Sequence, residues 1–85
     1  MKGRSMPTYT VETGYPEAAT GRWVRGSYRD TFEARDIQAA KDEVDRRLFD
    51  EEIKCTEGGS AVRVFGNGAD TWRSLDGGGR HSSWS

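Results

Sequence analysis

One segment carries the apolar repeat of an amphipathic helix, and this single helix constrains the fold more than any other feature. Its apolar residues recur at three- and four-residue spacing: Ile37, Ala40, Val44 and Leu48, widened by Phe49 and Ile53. Asp36 stands at the N-cap position, while Asp30 with Glu33 forms a rival capping box and an earlier start. Because the rival start places Phe32 off the apolar stripe, we predict a helix that begins after Asp36 and ends at residues 57–59.

Extended segments lie on both sides of this helix. The predicted strands span residues 8–13, 22–34, 61–65, 71–75 and, as a last edge strand, 80–84. Tyr9 and Val11 alternate onto one face of the first strand, a loop follows over residues 14–21, and Gly26 marks a bulge or bend in the second strand. The run Gly66-Asn67-Gly68 supplies the positive-φ residues that a hairpin turn requires.

These elements predict an α+β fold. We expect a single two-layer domain, an antiparallel sheet with one helix packed across it, in the order ββαββ(β). A chain of 85 residues leaves no room for a second domain. The folded core is expected over about residues 8–84, after a flexible leader at residues 1–7.

The core of this domain is thin. Val, Ile, Leu and Phe together number 12 of the 85 residues. Nine aromatic residues add large side chains that can be buried in place of the scarce aliphatic ones. Because 13 basic and 14 acidic residues cancel to a net charge of −1, the composition favours a folded, marginally stable domain over a disordered chain.

The sequence offers little for catalysis. It has one cysteine, Cys55, and one histidine, His81, which excludes an intramolecular disulfide, a multi-thiolate zinc site and a site built from several histidines. The Gly-rich turns at 66–68 and 77–79 lack the following helix of a phosphate loop. We expect no enzymatic activity, no cofactor, no metal ion and no membrane span. A lone thiol suits the cytoplasm.

Charge is unevenly distributed along the chain. Residues 32–57 hold nine acidic and five basic residues, whereas both flanking segments have a basic surplus. Six arginines on predicted strands or their ends are interleaved with four aromatic residues: Arg22, Arg25, Arg29, Arg63, Arg73 and Arg80 with Trp23, Tyr28, Trp72 and Trp84. Such side chains on a sheet face are typical of a protein interface or a single-strand nucleic-acid interface. The alternative is a solvated outer face with the aromatics in the core.

Several short pieces of the sequence, taken in their order along the chain, form a recognisable pattern. The pieces are Thr31-Phe32-Glu33-Ala34, Ile37-Gln38-Ala39-Ala40-Lys41, Cys55, Gly59-Ser60-Ala61-Val62-Arg63-Val64, Asn67-Gly68, Trp72, Asp76-Gly77, Arg80 and Trp84. Over most of residues 8–84 this pattern resembles a type I anti-CRISPR family. The helical region is nearly two turns longer here and more acidic.

Proteins of that family bind the Cas7 backbone of the guide-RNA-loaded Cascade complex and block pairing of the guide with target DNA. The resemblance therefore implies a non-enzymatic inhibitor of a type I effector, with an indirect effect on DNA binding, acting in the cytoplasm of an infected host bacterium. It also implies that Lys41, Lys54 and Arg80 contact the partner.

The residues themselves add Arg73, Trp72 and Trp84 to the predicted partner-binding set. An alternative DNA-mimic face is formed by three acidic residues of the helical region: Asp42, Asp45 and Glu52. Two other functions stay open, a nucleic-acid-binding accessory protein that uses the Arg/Trp sheet face and a phage or host protein-interaction module of another role. We expect a monomer, with strand addition at the Trp84 edge as a route to a dimer.

Overall fold

The computed structural model describes residues 6–53, 61–75 and 84, and these contain four strands and one helix. They are β1 (Thr8–Pro16), β2 (Trp23–Glu33), α1 (Ile37–Phe49), β3 (Ala61–Gly66) and β4 (Ala69–Ser74). The strands form one antiparallel sheet in the order β2-β1-β3-β4. The predicted α+β fold and its ββαββ order are confirmed. Only Trp84 of the predicted strand at 80–84, and only Met6 and Pro7 of the predicted leader, are among the described residues.

The hairpin of β1 and β2 is longer than predicted. β1 continues to Pro16 rather than ending at residue 13, so the connecting loop is shorter than residues 14–21. The Glu17 N–H donates to the Arg22 carbonyl at 2.8 Å, and the Gly21 N–H donates to the Glu17 carbonyl at 2.7 Å. Gly21 has a φ of 74°, a conformation that glycine adopts without the steric cost of a side chain.

β2 contains the irregularity predicted at Gly26. Glu12 pairs with Arg29 and Gly14 pairs with Arg25, so three residues of β2 lie opposite the single residue between Glu12 and Gly14. Because an even number of residues is inserted, side chains before and after the bulge keep the same alternation between the two faces of the sheet. Arg25 and Arg29 therefore lie on the same face of the sheet.

α1 begins where the sequence predicts and ends earlier. Asp36 Oδ1 accepts a hydrogen bond from the Ala39 N–H at 2.9 Å, which confirms the N-cap over the rival start. The predicted end at residues 57–59 is wrong. The helix ends at Phe49 because Glu51 takes a positive φ of 62°, and the N–H groups of Glu51 and Glu52 donate back to carbonyls of the last turn.

The core lies between α1 and one face of the sheet. Ala40 and Val44 of the predicted stripe are fully buried, and Ile53 is buried although it follows the helix. Phe49 is 87% exposed, so its prediction as a stripe residue is wrong. The buried apolar cluster comprises Tyr9, Val11, Ala34, Ala40, Val44, Ile53, Val62, Val64 and Leu75.

The turn between β3 and β4 follows its sequence. Gly66 pairs with Ala69, and the two residues between them, Asn67 and Gly68, have φ values of 51° and 81°. Positive φ at both central residues is the requirement of a type I′ hairpin turn. The predicted hairpin is confirmed.

Candidate binding surfaces

The register assigns each candidate side chain to one of the two faces of the sheet. Arg73 pairs with Val62 and shares the face that packs on α1, the helix face. Trp72, its neighbour in β4, lies on the opposite face, the open face, because successive residues alternate. No helix or strand of the described residues covers the open face. Its charged and aromatic residues are Glu12, Trp23, Arg25, Arg29, Glu33, Arg63, Phe65, Asp70 and Trp72.

Arg63 is at the centre of the open face. Its Nε and Nη2 donate to Asp70 Oδ1 and Oδ2 at 2.9 and 2.7 Å, and its Nη1 lies 3.6 Å from Glu12 Oε2. The guanidinium lies 4.4 Å from the ring centre of Phe65 and 5.7 Å from that of Trp23. Hydrogen bonding to Asp70 raises the pKa of Arg63, and the same bonds lower the pKa of Asp70. Both groups are therefore charged and fixed in place.

Glu12 is a carboxylate buried within the open face. It is 2% exposed, and its Oε1 accepts a hydrogen bond from Arg29 Nη1 at 3.1 Å. Because an unpaired buried carboxylate is strongly unfavourable, the burial of Glu12 depends on Arg29 and Arg63 on either side of it. The side chain of Arg29 remains 49% exposed and reaches the surface.

Two tryptophans of the open face pack side by side. The ring centres of Trp23 and Trp72 are 6.4 Å apart, with their planes inclined by 54°. Gly14 permits this packing, because a Cβ there would lie 2.9 Å from the Trp23 ring and 2.2 Å from the Val24 carbonyl oxygen. Beside the pair is an open cleft of about 340 Å³, lined by Pro16, Gly21, Trp23, Arg63, Asp70 and Trp72.

Three predicted functional residues contact one another on the helix face. Arg73 and Trp84 were predicted to bind a partner, and Asp45 to mimic DNA. Arg73 Nη1 donates to Asp45 Oδ1 at 2.8 Å, and Trp84 Nε1 lies 3.3 Å from both carboxylate oxygens of Asp45. The Arg73 guanidinium is 5.9 Å from the Trp84 ring centre, and its side chain is only 15% exposed. This cluster ties β4 and Trp84 to α1.

The acidic helix is partly neutralised by its own arginines. Arg46 forms ion pairs with three carboxylates: Glu43 at 2.9 Å, Asp50 at 2.7 Å and Glu52 at 3.2 Å. Arg47 is nearly buried and contacts Glu43 at 2.7 Å and Asp30 of β2 at 2.8 Å. Hydrogen bonds from Arg46 and then Arg47 lower the pKa of Glu43 to about 2.

The predicted partner-binding residues do not form one surface. Lys41 lies on α1, with no ion pair among residues 6–53, 61–75 and 84. Trp72 lies on the open face, whereas Arg73 and Trp84 lie between the layers. Two further predicted residues, Lys54 and Arg80, are outside the described residues, as are Cys55 and His81.

The predicted DNA-mimic face is largely occupied by contacts within the chain. Asp45 pairs with Arg73, and Glu52 pairs with Arg46. Asp42 accepts a hydrogen bond from Gln38 Nε2 at 3.2 Å and is the one member without an ion pair in the described part of the chain.

Of the nine charged and aromatic residues on the open face, only Trp72 was in the predicted binding set. The eight missing residues include Glu12, Trp23, Arg25 and Arg63. Arg25, Arg63 and Trp23 belonged to the wider arginine and aromatic pattern, but nothing in that pattern separated the two faces. The alternation of β1 could have separated the two faces. Glu12 and Gly14 lie one and three residues after the buried Val11, so both are on the face opposite the core.

The remaining observations concern metal, membrane and known proteins. Within the described ranges, no group of three or more His, Cys, Asp or Glu residues is arranged to hold a metal ion. No helix there has the length and apolar character that a membrane crossing requires. Comparison with protein-family models, with curated proteins and with solved structures finds no match.

Proposed function

We propose that this chain is a non-enzymatic binding protein that attaches to the Cas7 backbone of a type I CRISPR effector and blocks target DNA recognition. The sequence resemblance to type I anti-CRISPR proteins supplies the class of partner. The observation that carries the proposal is the cluster of Trp23, Trp72 and Arg63 on a sheet face that no described element covers.

The chemistry of this face suits binding to a protein. Tryptophan and arginine are the residue types in which interface binding energy is concentrated. Arg63 is held by Asp70, and the two tryptophan rings pack on each other, so little side-chain freedom is lost when a partner arrives. A small rigid domain can then inhibit by bulk alone, because occlusion requires only that it cover the path of the DNA.

A second candidate function is nucleic-acid binding through the same face. The positions of Arg25 and Arg29 on the face that holds the two tryptophans favour it, since a basic groove with aromatic platforms binds single strands. The net charge of −1 opposes it, because such binding depends on the neutralisation of phosphates. We therefore rank it second.

The test uses guide-RNA-loaded type I effectors of several subtypes, each incubated with the purified chain before duplex target DNA is added. We expect the chain to co-elute with one of these effectors in size-exclusion chromatography. We also expect it to abolish the binding of target DNA by that effector in an electrophoretic mobility-shift assay. The matched control is an effector to which target DNA was bound first, which we expect to resist inhibition because its DNA path is filled.

Two results would contradict the proposal. If the chain leaves DNA binding by every effector intact but shifts a single-stranded oligonucleotide with a steep loss of affinity in salt, the nucleic-acid function is correct. If it does neither, the chain is an interaction module of another role.

A further inference from the structure

The arginines of the open face are only partly neutralised by carboxylates. Both carboxylates at the centre of the open face, Glu12 and Asp70, are bound by Arg63. Arg29 shares Glu12 but leaves half of its side chain exposed. Arg25 is exposed and has no ion pair among the described residues. At the centre of the open face three arginines therefore face two carboxylates, and the surplus positive charge there lies at the surface.

The surplus lies near the cleft. Arg25 is two residues from Trp23 on the same face, about 7 Å along β2. The remaining carboxylate of the open face, Glu33, pairs with Thr8 at the other end of β2, about 13 Å from Arg29 along the strand. An aromatic cleft with exposed arginines beside it is complementary to an acidic surface that also presents a side chain.

Three features favour a protein partner over a nucleic acid. The Trp23 and Trp72 rings pack on each other, so no gap between them can receive a base. The Nε and Nη2 donors of Arg63 are used by Asp70 and are not available to a phosphate. The Asp70 carboxylate also lines the cleft, where it would repel a polyphosphate backbone. Carboxylates of a protein can pair with Arg25 and avoid Asp70.

We infer that the open face is the effector-binding surface, and that it docks on an acidic protein surface of the effector, one side chain of which enters the cleft beside Trp23 and Trp72. This inference rests on the proposed function and names the surface that the function uses. It replaces the sequence-based expectation that Lys41 on the helix is a main determinant.

The first test reverses one charge on each of two surfaces. Arg25→Glu adds repulsion on the open face, and we expect it to weaken binding to the guide-loaded effector at least about tenfold. The matched control is Arg35→Glu, because the Arg35 side chain is 79% exposed before α1 and its one ion pair within the described residues is with the adjacent Asp36, at 3.6 Å. It makes the same change in net charge, and we expect less than about a twofold loss.

The second test fills the mouth of the cleft. Gly21 has a φ of 74°, and a Cβ added there meets nothing within 4 Å, so Gly21→Asn adds a side chain at the rim with little strain. We expect binding to fall at least about tenfold, because the partner side chain is excluded. Gly68→Asn is the control, with a φ of 81° and the same open surroundings, in the β3–β4 turn at the other end of the sheet.

Binding affinity is measured by biolayer interferometry with the effector immobilised, and thermal unfolding establishes that each variant is folded. Losses in Arg25→Glu and Gly21→Asn, with both controls near the parent, support the inference. If Lys41→Glu weakens binding while those two variants bind like the parent, the inference is wrong and the proposed function stands. If the parent binds no effector, the proposed function fails first. If the parent binds a single-stranded oligonucleotide and both variants lose it, the partner is a nucleic acid and the inference is wrong.

Discussion

The two faces of one sheet stabilise this domain in different ways. The helix face buries aliphatic side chains such as Val44 against the sheet, and its charges form ion pairs between the layers, including Arg73 with Asp45. The open face has no second layer among the described residues. It places Arg63 over the rings of Phe65 and Trp23 and buries the carboxylate of Glu12.

The difference shows that the same residue types have different roles on the two faces. Arg73 and Trp84 are tied to α1 through Asp45, so their functional groups are used by the fold. Trp72 lies next to Arg73 in sequence but contributes to a surface that a partner can reach. The face to which a strand residue points, more than its chemical type, decides which role it has.

The largest effect is expected from a charge placed in the helix face. Val44 is fully buried, so Val44→Asp would bury an unpaired carboxylate in a thin core. We expect the cooperative thermal transition to be lost. Phe49→Asp, at a helix position that is 87% exposed, is the control and should melt near the parent. An unchanged transition in Val44→Asp would show that the core does not lie between α1 and the sheet.

A smaller effect on stability is expected at Gly14, where the Trp23 ring packs against the backbone of β1 on the open face. Gly14→Ala places a Cβ 2.2 Å from the Val24 carbonyl oxygen and 2.9 Å from the Trp23 ring, so the indole must move. We expect a loss of about 1–3 kcal/mol in the free energy of unfolding by urea, with a shift in tryptophan emission. In Gly21→Ala, where nothing lies near the added Cβ, the positive φ alone should cost about 1 kcal/mol.

These two glycines separate contact from backbone strain. If Gly14→Ala is no more destabilising than Gly21→Ala and leaves tryptophan emission unchanged, then Trp23 does not pack on β1. Trp23 would then not be held in the position in which it lines the cleft. The comparison between the faces would then rest on the arginine pairs alone.

The cluster around Asp45 provides the third prediction. Asp45→Asn removes the charged acceptor of Arg73 Nη1 and weakens the acceptor of the Trp84 indole N–H. We expect a loss of about 1–2 kcal/mol in the free energy of unfolding, because hydrogen bonds to a charged group are affected. Asp42→Asn is the control, since the one side-chain hydrogen bond of Asp42 in the described part of the chain comes from Gln38.

This prediction also separates folding from binding on the helix face. A variant of Asp45 that loses effector binding but keeps the parent stability would support the DNA-mimic helix rather than the structural cluster. A parallel loss of stability would show that Asp45 acts through the fold.

The sequence predicted those elements whose cause is local. Asp36 could be recognised as an N-cap, and Asn67-Gly68 as a hairpin turn, because one or two residue types determine each conformation. The end of α1 could not be predicted in this way. Many helices end with a residue in the left-handed conformation that is usually glycine, and here Glu51 takes that role, which no sequence signal indicates.

The candidate surface was harder to predict than the fold because it depends on register. The sequence showed arginines alternating with aromatics, but Trp72 and Arg73 are adjacent and point to opposite faces. Only the pairing of β1 with both neighbours brings Glu12 beside Arg29 and Arg63. Long-range strand pairing, which one-dimensional spacing does not contain, decided the composition of the open face.

The smallest effect is expected from the surface ion pairs of α1. The pKa of Glu43 is lowered from 4.5 to about 2 by hydrogen bonds from Arg46 and then Arg47. A carboxylate whose pKa is lower in the folded state stabilises the fold at neutral pH and loses that contribution as the pH falls from about 5 towards 2. We therefore expect Glu43→Gln to cost at most about 1 kcal/mol at pH 7, and the difference from the parent to shrink to less than half at pH 3. Urea unfolding at the two pH values measures this difference, with the exposed Glu33→Gln as a control for net charge. A difference that is as large at pH 3 as at pH 7 would mean that Glu43 stabilises α1 through packing rather than through its charge.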